Sequence, residues 1–136
     1  DVTASDCHPL TEAFLGENLR LNDLPPMANG HGPWDGTASP SGYAHRSGVH
    51  GRYDLIIGSD VLYERDDGGV LPAFIERHAH DTACVMIVDP DRGNRSAFNR
   101  RMDAMGFELV ESRLDEAASA LGAAYKGRLM RYQRTH

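Results

Sequence analysis

The chain has 136 residues, 40% of them hydrophobic and 25% charged, with a formal net charge of −6. This composition is that of an ordinary soluble globular domain. The negative charge argues against a nucleic-acid partner, because such partners require basic surface that neutralises phosphates. No apolar run approaches the roughly 20 residues of a membrane span, and no secretory signal is visible. We therefore expect a cytoplasmic protein with no membrane partner.

The cysteines and histidines point to neither a disulfide framework nor a metal centre. Cys7 and Cys84 are isolated in the sequence, which suits a reducing compartment. His78 and His80 are two positions apart, so a helix would place them on different faces. No HExxH or CxxC pattern occurs, and we predict no metal site.

The first elements are a short strand and a helix. Val2 to Ser5 predicts a strand that ends at Asp6, and Pro9 then opens a helical pattern. The helix stops before Pro25, since proline cannot continue it. Its apolar residues recur near one predicted face at helical spacing. They are Leu10, Ala13, Phe14 and Leu21.

The segment from Met27 to Arg52 is rich in Gly, Pro, Ser and His. Its one large apolar residue is Trp34, near which we predict a short strand. A flexible insertion is predicted from Gly36 to Gly51, because so long an irregular stretch is unusual in a compact domain.

The best strand in the sequence is Tyr53 to Ser59. Its apolar centre is continuous, which is typical of a strand buried on both faces of a parallel sheet. A helix ending near His80 and a second buried strand, Ala83 to Val88, follow it. A further helix is predicted between Asn94, as its N-cap, and Gly106, as its end.

Two strands, Phe107 to Ser112 and Tyr125 to Tyr132, complete the chain. Alternation of strands and helices indicates an α/β sheet, and adjacent final strands indicate an antiparallel hairpin at one edge. Four cations near the C-terminus favour a solvated edge strand protected by charge. They are Lys126, Arg128, Arg131 and Arg134.

Acidic residues end three predicted strands, at Asp6, Asp60 and Asp89. Ligands bind beyond the carboxyl ends of the strands in open α/β sheets. An acidic side chain at such an end can accept hydrogen bonds from both ribose hydroxyls of a nucleoside. Asp6 is therefore a candidate for holding a ribose, and its alternative role is to cap the following helix.

Asp60 and Tyr63 form the sharpest pair, since they follow the best strand. A carboxylate can hold a substrate ammonium, and an aromatic face attracts cations. Alternatively, Asp60 caps a turn and Tyr63 packs under the next helix. Trp34 is a candidate for an adenine pocket or a core residue, and Arg92 faces substrate or pairs with a nearby carboxylate.

Together these segments resemble the class I, seven-β-strand, S-adenosylmethionine-dependent methyltransferases. The resemblance is closest to the protein lysine methyltransferases with a DxxY motif, methyltransferase family 16. VTASDCHPLTEAFLGENLRLN resembles the family's second strand and the helix after it, and YDLIIGSDVLYE its fourth strand and signature. VMIVDPDRGNRSAFNRRMDAMGFELVE resembles the fifth strand, its helix and the start of the sixth.

The resemblance implies roles for five residues. Asp6 would hold the ribose of S-adenosylmethionine, and Trp34 and Ser59 would line the adenosyl pocket. Asp60 and Tyr63 would lie beside the methyl-transfer site. The implied reaction is methyl transfer to a nitrogen of a protein lysine, with a small-molecule amine or a non-catalytic interaction module as alternatives.

The sequence also departs from the family. It contains no GxGxG loop, and the family's first strand has no counterpart. We expect a partial, Rossmann-like methyltransferase domain over residues 1–136, from the second strand to the last. This polypeptide alone is expected to be inactive and to bind S-adenosylmethionine weakly or not at all.

Overall fold

A computed structural model describes residues 1–36 and 48–135. The strands and helices follow one another in the predicted order, which confirms the α/β class. The chain divides into two compact units, Asp1–Gly51 and Arg52–His136. Most of the predicted insertion from Gly36 to Gly51 lies outside the described residues. Within the described ranges, no helix has the length and apolarity needed to cross a membrane.

The described residues of the first unit form two parallel strands and one helix. These elements are β1 (Thr3–Asp6), α1 (Thr11–Leu21) and β2 (Ala28–His31). The strand predicted near Trp34 therefore ends three residues before it. Trp34 itself lies in the turn that follows β2.

The apolar face predicted for α1 is largely exposed. Phe14 and Leu21 are 65% and 63% exposed, whereas Leu19 is 8% exposed. Phe14 and Leu21 lie on a different side of the helix from Leu19. A two-stranded sheet is too narrow to cover a broad helix face, so only a narrow strip of α1 is buried in this unit.

The second unit is a four-stranded mixed sheet in the order β3-β4-β6-β5. Strands β3 and β4 are parallel, and β6 runs antiparallel to both β4 and β5. The final two strands form the predicted antiparallel pair. The elements are β3 (Tyr53–Ser59), α2 (Val70–His78), β4 (Ala79–Asp89), α3 (Arg95–Ala104), β5 (Glu108–Glu116) and β6 (Tyr125–Arg134).

The core of this unit lies on the face of the sheet that carries α2 and α3. Val85 and Tyr132, paired across β4 and β6, are both 0% exposed. The Tyr132 ring packs edge-on against Phe98 of α3 at 5.4 Å. Its hydroxyl donates to Oδ1 of Asn99 at 2.6 Å, so the polar tip of this buried ring keeps a partner.

The prediction that β3 is buried on both faces is wrong. Leu55 and Ile57 are 53% and 74% exposed. Strand β3 lies at the end of its four-stranded sheet and pairs there with β4 alone. Its register with β4 places both residues on the face opposite Val85. The sequence pattern indicates that a strand is apolar, whereas its position in the sheet decides how much of its surface other elements bury.

The prediction of a solvated edge strand at the C-terminus is also wrong. Strand β6 lies between β4 and β5, so it is an inner strand. Arg134 is only 4% exposed, and Arg128 is paired with Asp91 at 3.0 Å. These cations therefore serve packing and ion pairing, whereas only Lys126 and Arg131 remain exposed.

Gly127 offers a test of the packing at the β4–β6 pair. A Cβ atom there would lie 2.5 Å from the Asp89 carbonyl oxygen and 2.7 Å from the Tyr125 hydroxyl. We expect Gly127→Ala to lower the free energy of unfolding by about 1–3 kcal/mol, as overpacking does. Gly122→Ala is the matched control, because nothing lies within 4 Å of its Cβ position. Urea denaturation with equal midpoints for the two variants would contradict this expectation.

Candidate functional site

Asp6 is the last residue of β1, and its side chain is exposed. Its Oδ1 accepts the backbone N–H of His8 at 2.6 Å. The helix begins only at Thr11, after Leu10 in the N-cap position. Asp6 therefore stabilises the turn after the strand and does not cap the helix. An exposed carboxylate at a strand end has the position required to accept hydroxyl hydrogen bonds from a ribose.

Trp34 follows β2, the strand that pairs with β1. The N–H of Gly32 donates to the Asp6 carbonyl oxygen at 3.1 Å, so the two strands leave the sheet side by side. A Cβ on Gly32 would lie 3.1 Å from the Cβ of Ser5. This close approach of the two chain segments explains why residue 32 is a glycine. Trp34 comes two residues later and is partly buried.

A groove of about 500 Å³ also lies in the first unit, beside α1. Its lining includes Leu15, Leu19 and Met27 but neither Asp6 nor Trp34. Ligand sites of open α/β sheets lie beyond the carboxyl ends of the strands. We therefore place the candidate site of this unit at Asp6 rather than in the groove.

In the second unit, the candidate residues lie at the carboxyl end of β3. Ser59 is the last residue of the strand and is exposed. The N–H of Asp60 donates to the Val88 carbonyl oxygen at 2.8 Å. Asp60 then adopts a left-handed conformation with φ of 53°, so the chain turns sharply away from the sheet. Tyr63, three residues on, is 54% exposed.

The Asp60 carboxylate is clamped by Arg92, which lies in the loop after β4. Arg92 Nε donates to Oδ1 at 2.5 Å and Nη2 donates to Oδ2 at 2.6 Å. This is a two-bond, side-on pair, the geometry that only arginine provides. These hydrogen bonds lower the pKa of Asp60 and raise the pKa of Arg92. Asp60 is thus held as an anion.

Two further contacts hold the loop that carries Arg92. The backbone N–H of Arg92 donates to Oδ2 of Asp89 at 3.2 Å, and Asp89 is 0% exposed. Asn94, predicted as a helix cap, makes no cap hydrogen bond and instead donates to the Leu62 carbonyl oxygen at 2.7 Å. The loops after β3 and β4 are therefore joined twice, by the Arg92–Asp60 pair and by the Asn94–Leu62 hydrogen bond.

A cluster of four charges supports the same loop from the other side. Arg95 and Arg128 each contact both Asp91 and Glu111, at 2.5–3.1 Å. Asp91, next to Arg92, has a left-handed φ of 61°. Each arginine thus bridges the loop to Glu111 in β5, and this network is worth more than isolated surface pairs.

The structure therefore brings Asp60 together with Arg92. From the sequence, Arg92 had two possible roles: to contact the substrate or to pair with a nearby carboxylate. Arg92 pairs with a carboxylate, and that carboxylate belongs to Asp60. The Asp-Pro-x-Arg turn at the end of a buried strand was the available signal. Its partner could not be chosen from the sequence, because Arg92 lies 32 residues away.

No protein-family model matches the chain, and no curated protein matches its sequence. Solved methyltransferase structures do match its fold. Ribosomal protein L11 methylase from Lactobacillus delbrueckii subsp. bulgaricus is 18% identical, with a TM-score of 0.62 over 99% of this chain and 58% of that chain. Magnesium protoporphyrin IX methyltransferase from Synechocystis PCC 6803, solved with bound S-adenosylmethionine, is 14% identical, with a TM-score of 0.64 over 98% and 59%.

A putative methyltransferase from Bacillus halodurans is 10% identical, with a TM-score of 0.68 over 99% of this chain and 83% of that chain. The chain spans less than two thirds of the length of the first two structures. At these identities, the likeness concerns the fold. The chain therefore has the α/β, Rossmann-like fold of the class I methyltransferases.

Proposed function

We propose that the complete natural protein transfers a methyl group from S-adenosylmethionine to a nitrogen, and that this nitrogen belongs to a protein lysine. The observation that carries the proposal is the Asp60–Tyr63 loop at the carboxyl end of β3. It presents an ionised carboxylate and an exposed aromatic ring on a fold shared with methyltransferases.

In the first unit, the position of Asp6 is one that suits the ribose of a nucleoside cofactor. Asp6 is an exposed carboxylate at the end of a parallel strand, and we assign it to the ribose hydroxyls. Trp34 and Ser59 are assigned to the adenosyl group. The bound cofactor would supply an electrophilic methyl group on a sulfonium, and one of the structural neighbours was solved with it.

In the proposed reaction, the roles of Asp60 and Tyr63 are to bind and orient the acceptor amine. The acceptor ammonium would first lose a proton to solvent water. The neutral amine would then form its N–C bond as the S–C bond breaks, which would leave the sulfur neutral and the methylated amine positively charged. Asp60 holds the amine in line with the methyl group, and Tyr63 offers its ring face to positive charge. The rate comes mainly from positioning and desolvation, without a covalent enzyme intermediate.

A small-molecule amine is the second candidate acceptor. The names of the structural neighbours include both a protein methylase and a porphyrin methyltransferase, and one fold accepts many substrates. A non-catalytic interaction module is the third reading, since no GxGxG loop occurs in these residues. We expect the protein to act in the cytoplasm.

Incubation with methyl-labelled cofactor tests the proposal. The complete natural protein, added to a lysate with labelled S-adenosylmethionine, is expected to label a protein band, and mass spectrometry should place the methyl group on lysine. Label in small molecules alone would support the second candidate. Calorimetry that detects no cofactor binding to the complete natural protein would support the non-catalytic alternative and contradict the proposal.

A further inference from the structure

We infer that Arg92 is a positioning residue that holds Asp60 in its ionised form and, through it, makes the bound acceptor amine easier to deprotonate. This inference rests on the proposed function, because it assigns Asp60 to the amine. It concerns the charge balance of the site rather than a contact between Arg92 and the substrate.

The first step of the argument is geometric. Arg92 uses one nitrogen for each carboxylate oxygen of Asp60, at 2.5 and 2.6 Å. Each carboxylate oxygen can accept about two hydrogen bonds, so each retains a lone pair for a substrate N–H. The two bonds also fix the plane of the carboxylate, which a single bond would not do. Both side chains keep surface open to a ligand, with 40% of Asp60 and 46% of Arg92 exposed.

The second step is that the clamp is itself held in place. The Arg92 backbone is bound to Asp89, and the neighbouring Asp91 is held by Arg95 and Arg128 at 3.0–3.1 Å. Asp60 is placed by its ladder bond to Val88 at 2.8 Å. The backbone of both Asp60 and Arg92 is therefore fixed by further hydrogen bonds and ion pairs. This distinguishes them from an ion pair between two mobile side chains on an open surface.

The third step is electrostatic. A lone carboxylate beside an ammonium stabilises the protonated amine, which cannot attack a methyl group. The Arg92 charge across the same carboxylate reduces that stabilisation, so the amine loses its proton more readily. Among the described residues, Arg92 is the charged group that shifts the pKa of Asp60, and Asp60 and the buried Asp89 together raise the pKa of Arg92. Tyr63 follows on the same loop as Asp60.

Arg92→Gln is the test variant, since it keeps a hydrogen-bonding side chain and removes the charge. Arg92→Lys retains the charge without the fork, and Arg100→Gln is a matched control on an exposed part of α3. In carboxyl ¹³C NMR of this chain, with Asp60 assigned through Asp60→Asn, the wild-type pKa is expected below the ordinary value of 3.8. Arg92→Gln should raise it and Arg100→Gln should not.

The pH profile of methyl transfer by the complete natural protein is the second readout. In Arg92→Gln the acidic limb is expected to move to higher pH, since the amine holds its proton more tightly. A shift of one pH unit means roughly a tenfold loss of rate on that limb, recovered at higher pH. Arg92→Lys should give an intermediate shift, whereas a purely structural role would lower the rate equally at every pH.

The possible outcomes separate this inference from the proposed function. An unchanged Asp60 pKa in Arg92→Gln would overturn the clamp, whether or not the protein is a methyltransferase. If the Asp60 pKa rises in Arg92→Gln but the pH profile of methyl transfer does not shift, the catalytic part of the inference would be overturned. Absence of methyl transfer in the wild type would overturn the proposed function while the NMR result still decides on the clamp.

Discussion

Replacing Arg134 with methionine is expected to lower the free energy of unfolding by about 3 kcal/mol, the scale for breaking a buried charged network. Arg134 is 4% exposed and donates to the backbone oxygens of Asp81, His80 and Met105 at 2.9–3.2 Å. These three carbonyl groups would lose their charged donor. The guanidinium also stacks 4.4 Å above the ring of Phe107, a cation–π contact that methionine cannot replace.

The ion pair of Arg134 contributes less than these hydrogen bonds. Its partner Glu76 lies 2.7 Å away but remains 48% exposed, so solvent screens the attraction. We therefore expect Glu76→Gln to cost less than Arg134→Met. Arg134→Lys should also lose most of the stabilisation that Arg134 provides, because an ammonium cannot reproduce the planar, forked arrangement of the guanidinium donors.

Urea denaturation of the chain is the measurement for Arg134. A lower midpoint with an unchanged slope would show a loss of stability without a change in compactness. Arg131→Met is the matched control, since Arg131 lies on the same strand and is exposed. It should change stability by no more than about 0.5 kcal/mol. Equal effects of the two substitutions would contradict the structural role of Arg134.

The second large effect is expected at Asp60. In the complete natural protein, Asp60→Asn should lower kcat for methyl transfer at least about 100-fold, the scale for losing one electrostatic group at a reacting centre. Asparagine is preferable to alanine here, because Asp60 has a φ of 53°. Asparagine tolerates the left-handed region, whereas alanine would add backbone strain.

Asp54→Asn is the control for this substitution. Asp54 is an exposed carboxylate on the same strand, and its loss should leave methyl transfer unchanged. Both variants should retain the wild-type free energy of unfolding to within about 1 kcal/mol, so that a fall in activity is not a fall in folded protein. Methyl transfer by Asp60→Asn within twofold of wild type would remove Asp60 from the site.

The second half of the chain was the easier part to predict. The strand Tyr53–Ser59 has the predicted bounds, α2 ends at His78, close to the predicted His80, and α3 ends just before Gly106 as predicted. Each of these features has a strong local signal in the sequence. The signals are a continuous apolar run, apolar residues at helical spacing, and a glycine with positive φ. Such signals depend on near neighbours in the chain and survive any tertiary arrangement.

The candidate site was predicted in its positions and not in its contacts. Asp6 and Asp60 do end parallel strands, because an acidic residue after an apolar run marks a strand end. The sequence left the partner of Arg92 open and favoured a capping role for Asn94. The structure pairs Arg92 with Asp60 and Asn94 with the Leu62 carbonyl oxygen.

The sequence by itself determined the order and type of the elements, since hydrophobic periodicity and proline or glycine boundaries are local properties. Only the tertiary structure decided that β6 is an inner strand, that Arg134 is buried and that Arg92 holds Asp60. These facts depend on strand order and register, which join residues 32 to 58 positions apart. No periodicity within one segment reports which distant segment lies beside it.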